Sequence, residues 1–170
     1  MQDVKSMMGS PEAAIVEAVM AVVEPWAQSN GGKAQVAEDP QHSIDLIIKD
    51  QSTGLLATVF WGSDNASDES MAPSEPLLEG VVNIALSRPV TLEIGKSKAM
   101  KRTLELCHDL RNVMRGIDYE KVDWLQRAPR YAGKAPVVVA PGRLLNGYLL
   151  RFNVLYLRDD LDNWESGIEN

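Results

Sequence analysis

The side chains that most often perform chemistry are sparse in these 170 residues. There are two histidines, His42 and His108, and one cysteine, Cys107. A Ser-His-Asp constellation or a metal centre needs a histidine set beside its partners. His42 follows a Pro-Gln pair at a predicted strand entrance, and His108 adjoins Cys107 in a predicted helix. Neighbours in a helix point about 100° apart, so these two do not form a Cys-His nucleophile pair. Cys107 reads as a core residue and His108 as a surface or boundary one. Asp159, Asp160, Asp162 and Glu165 crowd together. A calcium loop, however, wants alternating oxygen ligands and a glycine at its sharp turn. Leu161 and Trp164 break that alternation and the glycine is missing, so the segment reads as a solvated tail. Gly95-Lys96 and Gly133-Lys134 lack the upstream glycine of a phosphate cradle. We therefore expect no catalytic, metal or cofactor site, and no enzyme.

What remains is binding chemistry. The segment 127–143 holds Arg127, Arg130, Lys134 and Arg143 with no acid, and Tyr131 lies among them. Such a pattern can meet a nucleic-acid backbone or an acidic protein surface, or simply be solvated. The stretch 62–76 is its opposite: Asp64, Asp68, Glu69 and Glu75 with two prolines and no basic residue. We predict two long exposed loops, Gly62–Pro76 and Pro129–Arg143. The charge asymmetry extends to the whole chain. Between Arg88 and Arg158 there are 14 Lys/Arg against 6 Asp/Glu, a balance of +8; the remainder carries −15, for a net charge of −7. A molecule so divided can meet its own copies head to tail or a partner of either sign; solvation of loops and tail is the plainer reading.

The elements that must position these residues follow from pattern. Ser10-Pro11-Glu12 is a helix start: a capping hydroxyl, proline at the first helical position and an acid in the first turn. Ile15, Val19, Val22 and Trp26 recur at helical spacing, Pro25 is expected to kink or end the helix, and 29–32 (Ser-Asn-Gly-Gly) finishes it. Lys33–Glu38 reads as a short strand. Ser43–Lys49, with Ile44, Leu46 and Ile48 alternating, reads as a strand joined through a hairpin loop at 50–54 to Leu55–Trp61. Glu79–Arg88 is a further strand. Ser97 caps a helix to Arg115, with Met100, Leu104, Cys107, Leu110 and Met114 along its apolar face and Gly116 at its end. Lys121–Ala128 reads as a strand containing Trp124. Gly147–Leu157 is the strongest strand, with Tyr148, Leu150, Phe152, Val154 and Tyr156 on one face. Its other face carries Leu149, Arg151, Asn153, Leu155 and Leu157, too apolar to stand in water, and either a second chain or this chain's own loops would cover it.

The order of these elements predicts an α+β fold, a mostly antiparallel or mixed sheet with two main helices on one face. Residues 1–158 form one domain and 159–170 an acidic mobile tail. One cysteine precludes an internal disulfide. The most apolar run, Ala13–Val23, contains Glu17 and is shorter than the ~20 residues of a membrane span, and no basic region leads into it. The expectation is a cytoplasmic protein with no membrane contact.

This layout resembles the tail-terminator (tail-completion) proteins of long-tailed bacteriophages, including minor tail proteins of Mu-like phages. The resemblance rests on helix Pro11–Val23, strands Ser43–Lys49, Leu55–Trp61 and Glu79–Arg88, helix Ser97–Arg115 and the closing strand at 148–156. It covers roughly residues 10–158 and is architectural, without a diagnostic short motif. It implies a structural virion protein: a homohexameric ring that caps the tail tube, contacts the tail-tube and head–tail connector proteins, and lets DNA pass through its lumen. It implies assembly in the host cytoplasm and residence in the virion tail, with partner contacts ordering the long loops on binding. Other neck, connector or baseplate ring subunits share the same reading. A small enzyme with an active site that no motif reveals, and a nucleic-acid-binding module, are the readings of other classes.

Overall fold

Residues 10–50, 54–66, 77–89, 95–137 and 145–157 are described by a computed structural model of the chain. The first helix, α1 (Pro11–Ser29), begins as its residues dictate: the Ser10 side chain accepts from the Ala13 N–H, and Pro11 occupies the first turn. Ile15, Val19, Val23 and Ala27 form its buried stripe. The helix continues past Pro25 to Ser29 instead of ending there. Pro25 is solvent-exposed, where the carbonyl it leaves without an N–H donor can turn to water. At the end, Gly32 N–H bonds to Ala27 O and Gly31 N–H to Gln28 O, with Gly31 at φ +76°. That double bond pattern needs a left-handed residue, which glycine supplies.

Strand β1 (Lys33–Val36) is followed by a helix, α2 (Pro40–Lys49), where the alternation of Ile44, Leu46 and Ile48 predicted a strand. The reason is local. Asp39 accepts from His42 N–H at 2.7 Å and Pro40 stands at the first helical position, so this is a capped helix start. The buried residues are Ser43 and Ile47, four apart, which is the helical spacing. A seven-residue apolar run fits both periods, and the cap decides. The expected hairpin is consequently absent. Instead β1 runs parallel to β2 (Leu56–Ala66) with α2 as the crossover.

β2 continues to Ala66, so the first five residues of the predicted loop at 62–76 are strand; 67–76 lies outside the described residues. β3 (Leu77–Pro89) follows antiparallel, with a register shift between Trp61 and Asp64. Helix α3 spans Gly95–Arg115, so Ser97 lies inside it. Its buried line is Ala99, Thr103, Leu106, Cys107, Leu110 and Met114, whereas Met100 is 45% exposed. Thr103 joins that line because its hydroxyl donates to Ala99 O at 2.8 Å.

The strand predicted at 121–128 is a 3-10 turn at Tyr119–Lys121 followed by an isolated bridge from Leu125 to Tyr156, with Trp124 at φ +79°. The predicted loop from Pro129 holds an edge strand, β4 (Arg130–Pro136). Residues 138–144 lie outside the described residues. β5 (Leu145–Leu157) closes the sheet, and the order is β1-β2-β3-β5-β4, parallel only between β1 and β2. The class is α+β with a mixed sheet.

The sheet has two different faces. On the front, Val59, Ile84, Leu86, Leu150, Phe152 and Tyr156 meet α1 and α3 in the main core. On the back, α2 covers Leu56, Phe60 and Ala85 through Ile47, with Leu149 packed alongside. Among the described residues helices therefore occupy both faces, two in front and one behind. The Ser43 and Thr58 hydroxyls, both buried, bond to each other across the back interface.

Candidate partner-binding surfaces

Two concavities lie beside the two edge strands of the sheet. The first is at the β4 edge. Arg127, Arg130 and Tyr131, predicted as partner-binding, line a pocket of about 470 Å³ with Arg111 and Arg115 of α3 and with Ala128, Pro129 and Phe152. Arg111 and Arg115 are four apart, so one face of the last turns of α3 presents both. The Arg111 guanidinium lies 3.9 Å from the Tyr131 ring centroid, and the Tyr131 edge packs on Phe152 at 5.9 Å. Arg111 Nε is buried without an acceptor. Among the described residues Arg111, Arg115 and Arg130 have no carboxylate partner. Four guanidiniums on an apolar floor make this an anion-receiving surface.

The second concavity is a groove of about 460 Å³ between α1 and the β1 edge, lined by Glu12, Glu17, Glu38, Val16, Met20, Val36, Ala37 and Trp61 among others. Val36 is 51% exposed. Glu12 is held by the core: the buried Tyr156 hydroxyl lies 3.2 Å from Glu12 Oε1 and 2.9 Å from Asp64 Oδ2. Ser10 Oγ donates to the other Glu12 oxygen at 3.0 Å. Burial, then the Asp64 and Glu12 carboxylates, raise the Tyr156 pKa far above its ordinary value, so the phenol keeps its proton and serves as donor. Trp61 meets the Tyr156 ring edge-on at 5.5 Å. Gly80 permits that contact, because a Cβ there would overlap the Trp61 indole.

The other predicted contact residues are dispersed. Lys134 is exposed on β4 and on the α3 side, close enough to act electrostatically on Cys107. Asp64 serves the Tyr156 hydrogen bond. Leu149 is half-buried against the back-face cluster, and Leu155 is 5% exposed, so the chain itself buries the second and part of the first. Arg151 is exposed on the back face opposite Asn83, whose Oδ1 is buried without a partner. Arg143, Asp68 and Glu69, and the acidic segment 159–170, lie outside the described residues. Cys107 is buried, and that burial pushes its thiol up to about 11, which makes it a poor nucleophile at neutral pH. His42 Nδ1 accepts from Glu38 N–H at 3.0 Å. Among the described residues no helix is long and apolar enough to cross a membrane.

Arg111, Arg115, Glu12, Glu17 and Glu38 were not among the sequence-derived contacts. Their signal was weak: spacing showed that Arg111 and Arg115 share a helix face, but only the fold brings that face to Arg127 and Arg130. Set against known proteins, the sequence matches no protein-family model and no curated protein.

Proposed function

We propose that this chain is a structural subunit of a phage tail, a tail terminator whose copies form a ring on the end of the tail tube and join it to the head. The observation that carries the reading is the pair of open, oppositely charged edges on one sheet. β1 and β4 are the outermost strands, three carboxylates line the groove beside one and four arginines the pocket beside the other. A subunit whose two ends differ in this way makes heterologous contacts, and a rotation that closes turns these into a ring. Helices α1 and α3 on one face and strands β2, β3 and β5 support the architectural resemblance, whereas Ser43–Lys49, one of the strands it was drawn on, is helix and lies on the other face.

The test is absolute mass by light scattering on a size-exclusion column, with negative-stain images of the same peak. A ring of several copies is expected. A chain that stays monomeric up to the highest soluble concentration would remove the ring. The arginine pocket also favours a second reading, a nucleic-acid-binding module. Against it, Arg111 already covers the Tyr131 face that a base would stack on, and the net charge is −7.

A further inference from the structure

Deepening the ring reading, on which this inference rests, we infer that the acidic α1/β1 groove of one copy receives the arginine-lined β4 edge of the next, so that the sheet continues from subunit to subunit. Three independent features of the fold agree on this. The first is orientation. Through the strand pairings β1, β2 and β5 run one way, and β3 and β4 the other. A second copy placed beside the first with its sheet facing the same way brings its β1 antiparallel to β4, the arrangement in which edge strands pair well.

The second is register. Kept level through Val59, Ile84 and Leu150, that pairing sets Val36, the end of β1, beside Lys134, and the chain beyond Val36 runs along the edge toward Arg130, the start of β4. Glu38 lies two residues beyond Val36, and Arg127 three before Arg130. The third is the face. α1 and α3 both lie on the front of the sheet. Continuing the sheet therefore sets α1 of one copy beside α3 of its neighbour, with Glu17 toward Arg115. Both concavities also lie at the same end of the sheet. Glu12 is bonded to Tyr156 near the end of β5, and the arginine pocket opens where β4 begins, beside Phe152 of β5. The apolar parts match too: Val36, Met20 and Trp61 on one side face Pro129, Ala128 and Tyr131 on the other. Both edge strands keep alternate or terminal residues exposed. Open edges of this kind are templates for another chain.

The experiment uses two full-length variants. Glu17→Lys with Glu38→Lys makes both edges basic, and Arg115→Glu with Arg130→Glu makes both acidic. All four side chains are exposed, so the fold should survive, which circular dichroism checks. Each variant alone is expected to lose assembly on the order of tenfold or more in concentration. The two mixed in equal amounts should regain it, because basic and acidic edges then alternate around the ring. Wild-type assembly with variants that assemble equally well would overturn this contact while leaving the ring standing, and so would failure of the mixture to recover. A wild-type chain that never assembles would overturn both.

Discussion

Tyr156 shows how one residue joins distant parts of this chain. Its ring is wholly buried in the main core, while its hydroxyl reaches the first turn of α1 and the far end of β2. Tyr156→Phe keeps the ring but removes the donor that Glu12 and Asp64 share, while Ser10 still donates to Glu12 and Asp64 stays open to water. We expect a loss of about 0.5–1.5 kcal/mol, read as a lower denaturant midpoint with an unchanged slope. The pH dependence has a definite sign. Folding raises this phenol's pKa, so above the ordinary tyrosine value of about 10 the unfolded chain loses a proton that the folded one keeps. The contribution is complete below about pH 10 and declines as the pH rises past it. Wild type should therefore lose stability at alkaline pH more steeply than Tyr156→Phe; parallel curves for the two proteins would contradict the assignment.

At the scale of elements, α2 is the informative case. Its residues 43–49 satisfy a strand alternation and a helical spacing at once, and a short apolar run cannot choose between them. The choice is made outside the run, by Asp39 and Pro40 at its start. Its position is then fixed by the buried Ser43–Thr58 hydroxyl pair and by the Lys33–Asp50 ion pair at 3.2 Å. Thr58→Val is nearly the same shape but leaves the Ser43 hydroxyl buried and unmatched, so it should destabilise by about 1–3 kcal/mol. The double change Ser43→Ala with Thr58→Val should recover much of that loss in thermal melts, because no polar group is then orphaned. An additive double mutant would mean that the two hydroxyls do not act as a pair. β4 was obscured for a related reason: Pro129, Gly133 and Pro136 look like loop residues, yet an edge strand tolerates prolines at its ends and a bulge at Gly133.

For the whole molecule the organising quantity is charge separated by the width of a sheet. The sequence already divides into a basic 88–158 and an acidic remainder, but linear distance says nothing about which edge each half occupies. If the edges hold copies together through exposed carboxylates and guanidiniums, assembly must weaken as salt shortens the screening length from ~10 Å at 0.1 M to ~3 Å at 1 M. The mass-average size at fixed protein concentration should fall over that range. A size that does not change, or that grows with salt, would point to an interface dominated by apolar burial.

The sequence by itself determined what local rules govern. The Ser10-Pro11-Glu12 start and Gly31 finish of α1, the strands at 55–61, 79–88 and 147–157, the extent of α3 to Arg115 and the α+β class all follow from capping chemistry and from apolar periods of two or 3.6 over long runs. The inner face of β5 was legible as well, because five alternating large apolar residues admit one arrangement. Tertiary structure alone decided the rest. It laid α2, a helix that its own Asp39-Pro40 cap sets, on the back of the sheet against Leu56, Phe60 and Ala85, and paired β1 with β2 in parallel. It also brought Arg111 and Arg115 to Arg127 and Arg130, and Glu12 to Glu38. Each of these depends on contacts between residues far apart in the chain, whose energies exceed any single local preference and leave no periodic trace in the sequence.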